Sequence, residues 1–437
     1  MASRNATARD GGTHGHGDSS AAERWSSLPD DLLNTIYLTL AAPIDRVRLA
    51  AVCTSWRAVA STHLSSGLLP WLMLDPNGGH GTKYVYSPGE GMVVPRLSLP
   101  SEASCRCFVG SHDGGWVASS EMIINLFSGA AVTLSHQPQE DAVRMQQRPR
   151  DELVLRKIVF SKQPTVSGCI LAAITNTDVL AFCMVGCPQA GWKKPGIMFG
   201  PSDSLMDIAF CNDELYGITR SKKLNRYEFG VNQHGAPVLN NIHKLRIQYD
   251  SWGCQVRYII ELRGKLVMVA GSYPRSRGSI YRPYFTVLEL VEGVDAYSSN
   301  RKYEWKMMNS LGDHALFLAP TCSKAVPVPV AERNSVQRNR IYISYHCCLR
   351  RNDEIPNGAN VIFTSLHDDG YRLFYEQDGS AIMGGIMLTG YYTMGGVRPP
   401  MWLFPGDMRR LGLDQRIISL LHSLCSKINI AVLIQNL

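Results

Sequence analysis

Asp313 and His314 are adjacent in the run Ser310-Leu-Gly-Asp-His-Ala-Leu-Phe317. An acid beside an imidazole can orient a general base, but acyl transfer also needs a nucleophile held nearby. The sequence offers no such nucleophile, and the run reads as a tight turn before a strand Ala315–Leu318. Four carboxylates, Glu152, Asp207, Glu214 and Glu261, fall in or near predicted strands. Glycoside hydrolysis needs two carboxyl groups roughly 5–10 Å apart, and spacing along the chain places no two of them so. The segment Gly110-Ser-His-Asp-Gly-Gly115 has neither the lysine nor the following helix of a phosphate-binding loop.

Metal chemistry has little to work with. The twelve cysteines include the near pairs Cys105/Cys107, Cys183/Cys187 and Cys347/Cys348. None forms a CxxC knuckle with a second one, and no histidine follows at zinc spacing. Reduced, mostly buried thiols are the expectation. His14 and His16 lie in a Gly-rich stretch without a third ligand and read as low-complexity filler. No catalytic residue, metal or cofactor is therefore expected. The stretch Tyr273-Pro-Arg275-Ser-Arg277-Gly-Ser-Ile-Tyr281-Arg282-Pro-Tyr284 pairs arginine with aromatics, which suits phosphate and base stacking. A solvated hairpin connection explains it better than nucleic acid does, with contact to a substrate protein as a further reading.

Bulk properties agree. The chain has 437 residues, 45% of them hydrophobic, and a formal charge of +7 from 44 basic and 37 acidic residues spread along it. That balance gives no reason to invoke nucleic acid. The N-terminus lacks a secretory apolar core, and no apolar run reaches the roughly 18–20 residues of a membrane span. The expected setting is soluble, in the cytoplasm or nucleus or both.

Residues 25–66 are expected to be helical. Leu32, Leu33, Ile36 and Leu40 recur at helical spacing behind Pro29, Asp30 and Asp31. A second helix is expected near Arg46–Cys53, and a third capped by Thr54 or Ser55 and carrying Trp56, Val59 and Ala60. So small a unit has more apolar positions than it can hide, which implies a partner surface, on another protein or on the rest of the chain.

From about residue 70, Gly, Pro, Asp and Asn punctuate short β-branched and aromatic runs that read as strands. Polar turns followed by strands recur at Asp113-Gly-Gly-Trp116, Asn212-Asp-Glu-Leu-Tyr216, Arg263-Gly-Lys-Leu266 and Arg338-Asn-Arg-Ile-Tyr342, with Cys169–Ile174 between the first two. Successive gaps are about 45–55 residues, the last near 75, against roughly 40–50 for a four-stranded propeller blade. The spacing favours a propeller over another all-β arrangement or a mixed fold. The expected organisation is a disordered tail over 1–22, a helical module over 23–66, a β-rich recognition domain over 67–405 and an apolar, partly helical tail over 406–437. In that tail, Ile417, Ile418, Leu420, Leu421, Leu424 and Ile428 share one helical face. Docking on the β domain is preferred for it over a membrane anchor.

The helical segment resembles an F-box. The resemblance rests on Leu28-Pro29, Asp31-Leu32-Leu33, Ile36, Asp45-Arg46, Arg48, Val52-Cys53 and Trp56-Arg57. It implies insertion into a Skp-type adaptor and, through that adaptor, attachment to a cullin scaffold. By that resemblance the adaptor contact falls to Leu28, Pro29, Leu32, Ile36, Val52, Cys53 and Trp56. The remainder resembles the domain of unknown function 295 that accompanies F-boxes in plants. The carriers are Gly110–Trp116, Asn125–Gly129, Asp207–Gly217, Arg263–Met268, Ser310–Phe317 and Pro399–Phe404. One departure is Asn125-Leu-Phe-Ser-Gly129, which lacks the family's proline; Asn125 and Gly129 are expected to keep the turn.

Together these imply an α+β, multi-domain chain: a small three-helix F-box followed by a mainly antiparallel β domain. The implied role is the substrate receptor of an SCF-type ubiquitin ligase, with the β domain holding an unknown target protein. The alternative is an interaction or regulatory module whose F-box joins no ligase. A propeller hydrolase would need converging carboxylates in a central pocket.

Overall fold

In the computed structural model of the chain, the described residues are 27–39, 49, 52–63, 70–75, 83–88, 91–94, 106–126, 128–134, 153–187, 191–195, 204–245, 247–248, 256–272, 284–294, 301–328, 336–346, 360–367, 370–378, 385–394 and 400–405. They fall into two units. One carries the helices; the other, Ser66–Arg410, carries every strand.

Helix α1 spans Asp30–Thr39 and α2 spans Thr54–His63. Pro29 has no N–H to leave unsatisfied, and its carbonyl accepts the N–H groups of Leu32 and Leu33 at 3.1 Å each. Asp30 and Asp31 then face the positive end of the helix dipole. At α2 the cap is not Thr54 or Ser55. The Cys53 thiol accepts the Trp56 N–H at 3.5 Å, and the Cys53 carbonyl accepts the Arg57 N–H at 3.0 Å. Thr54 is already the first helical residue. The helix expected near Arg46–Cys53 lies mostly outside the described residues, which hold two helices where three were expected. The tails 1–22 and 406–437, and residues 273–283 of the basic aromatic stretch, also lie outside them.

The described strands form six sheets, labelled here in chain order. Sheet one joins β1 (Trp71–Leu74), β2 (Tyr84–Ser87) and β3 (Met92–Val94) to the last strand, β26 (Met401–Leu403). Sheet two is β4 (Gly110–His112), β5 (Trp116–Ala118), β6 (Met122–Asn125) and β7 (Ala131–Thr133). Sheet three is β8 (Leu155–Phe160), β9 (Ile170–Thr175) and β10 (Leu180–Met184). Sheet four is β11 (Leu205–Cys211), β12 (Glu214–Thr219), β13 (Leu224–Val231) and β14 (Pro237–Leu245). Sheet five is β16 (Val256–Leu262), β17 (Lys265–Ser272), β18 (Tyr284–Val294) and β19 (Arg301–Met307), with β15 (Ile247–Gln248) along β19. Sheet six runs across as β21 (Ser323–Pro327), β20 (His314–Leu318), β22 (Arg340–His346), β25 (Met387–Met394), β24 (Gly370–Asp378) and β23 (Asn360–His367).

Pairing is antiparallel except at β15–β19, β20–β22 and β22–β25. The edge strands β26, β4, β8, β11, β16 and β21 touch one another in that order. Side chains alternate between neighbouring sheets, as a two-residue period requires. Leu171 and Ala173 of β9 join Trp116 and Ile123 of sheet two, while Ala172 and Ile174 join Ile208 and Leu215 of sheet four. With both faces buried, such strands read as unbroken apolar runs.

The repeated turns have a common place. Asp113–Gly115, Asn212–Asp213 and Arg263–Gly264 each link the edge strand of a sheet to its second strand. Asn212 and Asp213 have φ of 50° and 63°, and Arg263 and Gly264 have 54° and 73°. Two successive positive φ values make the two-residue turn that matches the twist of a hairpin. The fourth turn precedes β22 and follows the β20–β21 hairpin, which fills the long gap. The Asn125 turn forms as expected. The Asn125 carbonyl accepts the Gly129 N–H at 2.9 Å, and its side-chain oxygen accepts the Ser128 N–H at 2.9 Å.

Candidate functional site

In the helical unit, Leu33 and Tyr37 of α1 and Trp56, Val59 and Ala60 of α2 are buried. The apolar residues of α1 therefore divide between two faces instead of forming one stripe. Pro29 is exposed, Leu32 is 37% exposed and Leu38 is 66% exposed. Leu28, Ile36, Val52 and Cys53 are half-buried. Of the seven residues expected at an adaptor contact, Trp56 alone is enclosed, at 6% exposure.

The β unit has a cavity of about 330 Å³ whose lining comes from β4, β8, β11, β16, the β20–β21 hairpin and Phe404 just past β26. Because edge strands present consecutive residues to it, its wall mixes backbone, apolar and charged groups. At its floor the fully buried Lys157 pairs with Asp207 at 2.5 Å. Asp207 also accepts the Ile259 N–H at 2.8 Å. One carboxylate thus ties β8, β11 and β16 of three successive sheets. Burying both charges is tolerable because each is neutralised and hydrogen-bonded.

At the mouth, Lys324 pairs with Asp113 and lies 5.7 Å from the Phe404 ring centre. Arg263 pairs with Asp313 and donates to the Leu311 carbonyl at 3.0 Å. His314 meets Asp313 at 2.8 Å. Hydrogen bonds from His314 and then Arg263 hold the Asp313 carboxyl down to about 2. Gly312 has φ of 67°, and a side chain there would collide with the Arg263 guanidinium. The Ser-Leu-Gly-Asp run is thus the turn expected before a strand, and the structure adds that it is shaped to receive Arg263. Burial pushes the Cys322 thiol up to about 11, and burial followed by Glu261 and Glu214 pushes Cys211 up to about 12. Neither thiol is a ready nucleophile.

Of the four carboxylates singled out in the sequence, Asp207 and Glu261 come to the cavity, and Glu214 joins Glu261 in acting on Cys211. Asp207 serves the floor. Glu214 accepts from the Tyr216 hydroxyl at 2.8 Å and from Arg226 at 3.0 Å. Glu261 lines the cavity, and Glu152 lies outside the described residues. The lining carboxylates are Asp113 and Glu261, of which Asp113 is paired. Sequence reasoning passed over Lys157, Lys324 and Ser111. Lys157 had a signal: it is a charge inside the apolar run of β8 and directly precedes Ile158.

Comparison with known proteins adds two matches. Residues 85–374, well over half the chain, match the family model described as KIB1-4 beta-propeller, and residues 25–65 match the model described as F-box-like. The chain is similar to an Arabidopsis thaliana protein named as an F-box protein, at 26% identity over 341 residues, covering 73% of this chain and 84% of the relative. A second protein of that plant, also named as an F-box protein, is 22% identical over 372 residues, 79% of this chain and 92% of its own. F-box only protein 7 of the same plant is 21% identical over 342 residues, 67% of this chain and 78% of the relative.

Proposed function

The chain belongs to the KIB1-4 beta-propeller family, and from that premise we propose that it is the substrate-recognition subunit of an SCF-type cullin-RING ubiquitin ligase. In this reading the F-box-like segment docks a Skp-type adaptor, which links it to a cullin. The β unit, a propeller with one blade per sheet, holds a target protein. The contribution is proximity and orientation, so no catalytic residue is required of this chain.

The observation that carries the reading is the divided face of α1. Leu33 and Tyr37 are spent inside the unit, while Leu32 and Pro29 remain open beside the half-buried Leu28 and Ile36. An amphipathic helix offering spaced apolar anchors is a recurrent way to seat one helical protein on another. Leu28, Pro29, Leu32, Ile36, Val52 and Cys53 are assigned to direct contact. Trp56 is assigned to holding α2 in place beneath them.

The test is co-purification. The full chain is expected to bring down the adaptor and cullin, and the Leu28→Ala/Pro29→Ala variant is expected to lose both while keeping its unfolding profile. Retention of the adaptor by that variant would overturn the reading. Adaptor without cullin would favour an interaction module outside any ligase.

A further inference from the structure

The cavity between the sheets has a particular imbalance. Its charged lining consists of Asp113, Lys157, Glu261, Arg263 and Lys324. Lys157 is neutralised by Asp207, Lys324 by Asp113 and Arg263 by Asp313. The Glu261 carboxylate has neither a hydrogen bond nor an ion pair among the described residues, although its backbone pairs with Leu266 in the ladder. Its charge is nonetheless felt behind the wall, at Cys211, whose thiol it helps to raise. Ser111 also lines the cavity, and its buried hydroxyl likewise has no partner. An unpaired carboxylate and an unpaired hydroxyl oxygen both accept hydrogen bonds. Aromatic walls at Phe160 and Phe210 complete the surroundings. A volume of about 330 Å³ sits at the bottom of the roughly 300–1,000 Å³ range of small-ligand pockets. It suits one long side chain better than a cofactor.

We propose that this cavity receives a lysine or arginine side chain from the bound target protein, with Glu261 as its counter-charge and Ser111 as a second acceptor. An anion is the wrong guest, because every cation on the wall already has its carboxylate. A cation on a flexible apolar stem fits both halves of the lining: the stem lies along the aromatic wall and the head meets Glu261. Charge complementarity at the mouth then selects the partner more than it adds raw affinity. The proposal rests on the receptor reading above and names the chemistry of what that receptor takes.

Random twelve-residue peptides displayed on phage, panned against the full-length chain, test it. Enriched peptides are expected to share one Lys or Arg, and its replacement by norleucine should weaken binding about ten-fold or more in anisotropy titrations. Glu261→Gln should weaken the same peptides equally without moving the unfolding midpoint, since the exposed Glu261 has no partner to lose. Glu261→Lys should restore binding to peptides in which the basic residue is changed to Glu. No enrichment, enrichment of peptides without a basic residue, or unchanged binding by Glu261→Gln overturns the proposal. Selected peptides that bind Glu261→Gln normally sink the cavity site while leaving a peptide-binding receptor in place. Failure of adaptor co-purification sinks the receptor reading while leaving the peptide result untouched.

Discussion

Two seams hold neighbouring sheets of the β unit together, and they are built from opposite chemistry. Between sheets six and one the contact is aromatic. The Trp402 ring meets Phe317 at 4.9 Å and Tyr391 at 5.4 Å, both edge-on, and Phe317 stacks on Tyr342 at 5.0 Å. The indole N–H donates to the Leu318 carbonyl at 3.0 Å, and the Ser344 hydroxyl donates to the Pro400 carbonyl at 2.6 Å. Across sheets three, four and five the corresponding tie is ionic: Lys157, Asp207 and the Ile259 N–H. The aromatic seam meets a sheet made from both ends of the unit: β26 pairs with β1 inside sheet one, and Tyr86 of β2 reaches Tyr391 of sheet six at 6.0 Å. Bringing such distant segments together has a loop-closure cost that large apolar burial offsets well. The ionic seam joins sheets that are already sequential. There the need is for register, and a directional bond supplies that.

If that division is right, the largest loss comes from the aromatic seam. Trp402 is fully buried, and Trp402→Ala should cost at the upper end of about 3–5 kcal/mol. It should show in urea unfolding as a lower midpoint. Phe317 and Tyr391 should become the first sites to gain amide exchange. A midpoint within error of wild type would mean that β26 is dispensable to the fold.

Asp207→Ala should come next, at about 3 kcal/mol, because it strands a buried ammonium. The informative partner is Lys157→Met/Asp207→Leu, which removes both charges. It is expected to recover most of the stability by calorimetry while broadening the amide spectrum of β11 and β16, where register is no longer pinned. A double variant as unstable as Asp207→Ala would show that the ion pair supplies stability outright, and the contrast between the seams would collapse.

The aromatic seam was partly visible in the sequence, and the ionic one was not. Trp116, Trp192, Trp305 and Trp402 read from the sequence as large bodies suited to packing between sheets; Trp116 and Trp402 are buried, and Trp192 and Trp305 are half-buried. The turn-plus-strand repeat was legible because paired positive-φ residues have a narrow composition. Lys157 and Asp207 were opaque for the opposite reason. They lie 50 residues apart; a charge within a strand run marks each as unusual, but nothing local says that the two point at one another. The same holds at Cys53, where a thiol does the work that Thr54 or Ser55 promised. Composition ranks capping residues by average behaviour, and the backbone chose the residue one step earlier. In the helical segment the surplus of apolar positions was legible, but its division between an inner face of Leu33 and Tyr37 and an outer one of Leu32 and Pro29 needed coordinates.

The finest comparison concerns His112, which belongs to sheet two and so lies between the two seams. Its ring sits 5.2 Å from that of Phe160 and lines the cavity beside Asp113 and Lys324. Burial lowers its pKa below 6.5; the Asp113 charge opposes this and Lys324 reinforces it. The fold thus favours the neutral ring. Above pH 6.5 the histidine is neutral in both folded and unfolded chains and its contribution is complete. Below that, the unfolded chain takes the proton first, so stability falls with pH until the folded ring titrates as well. The slope cannot exceed about 1.4 kcal/mol per pH unit for one proton. Between pH 6.5 and about 5, before ordinary carboxylates near 4.3 begin to protonate, His112→Asn should unfold at a midpoint that changes less with pH than wild type. An identical slope in the variant would place the proton uptake elsewhere. It would also mean that this stretch of the cavity wall is wetter than its packing against Phe160 implies.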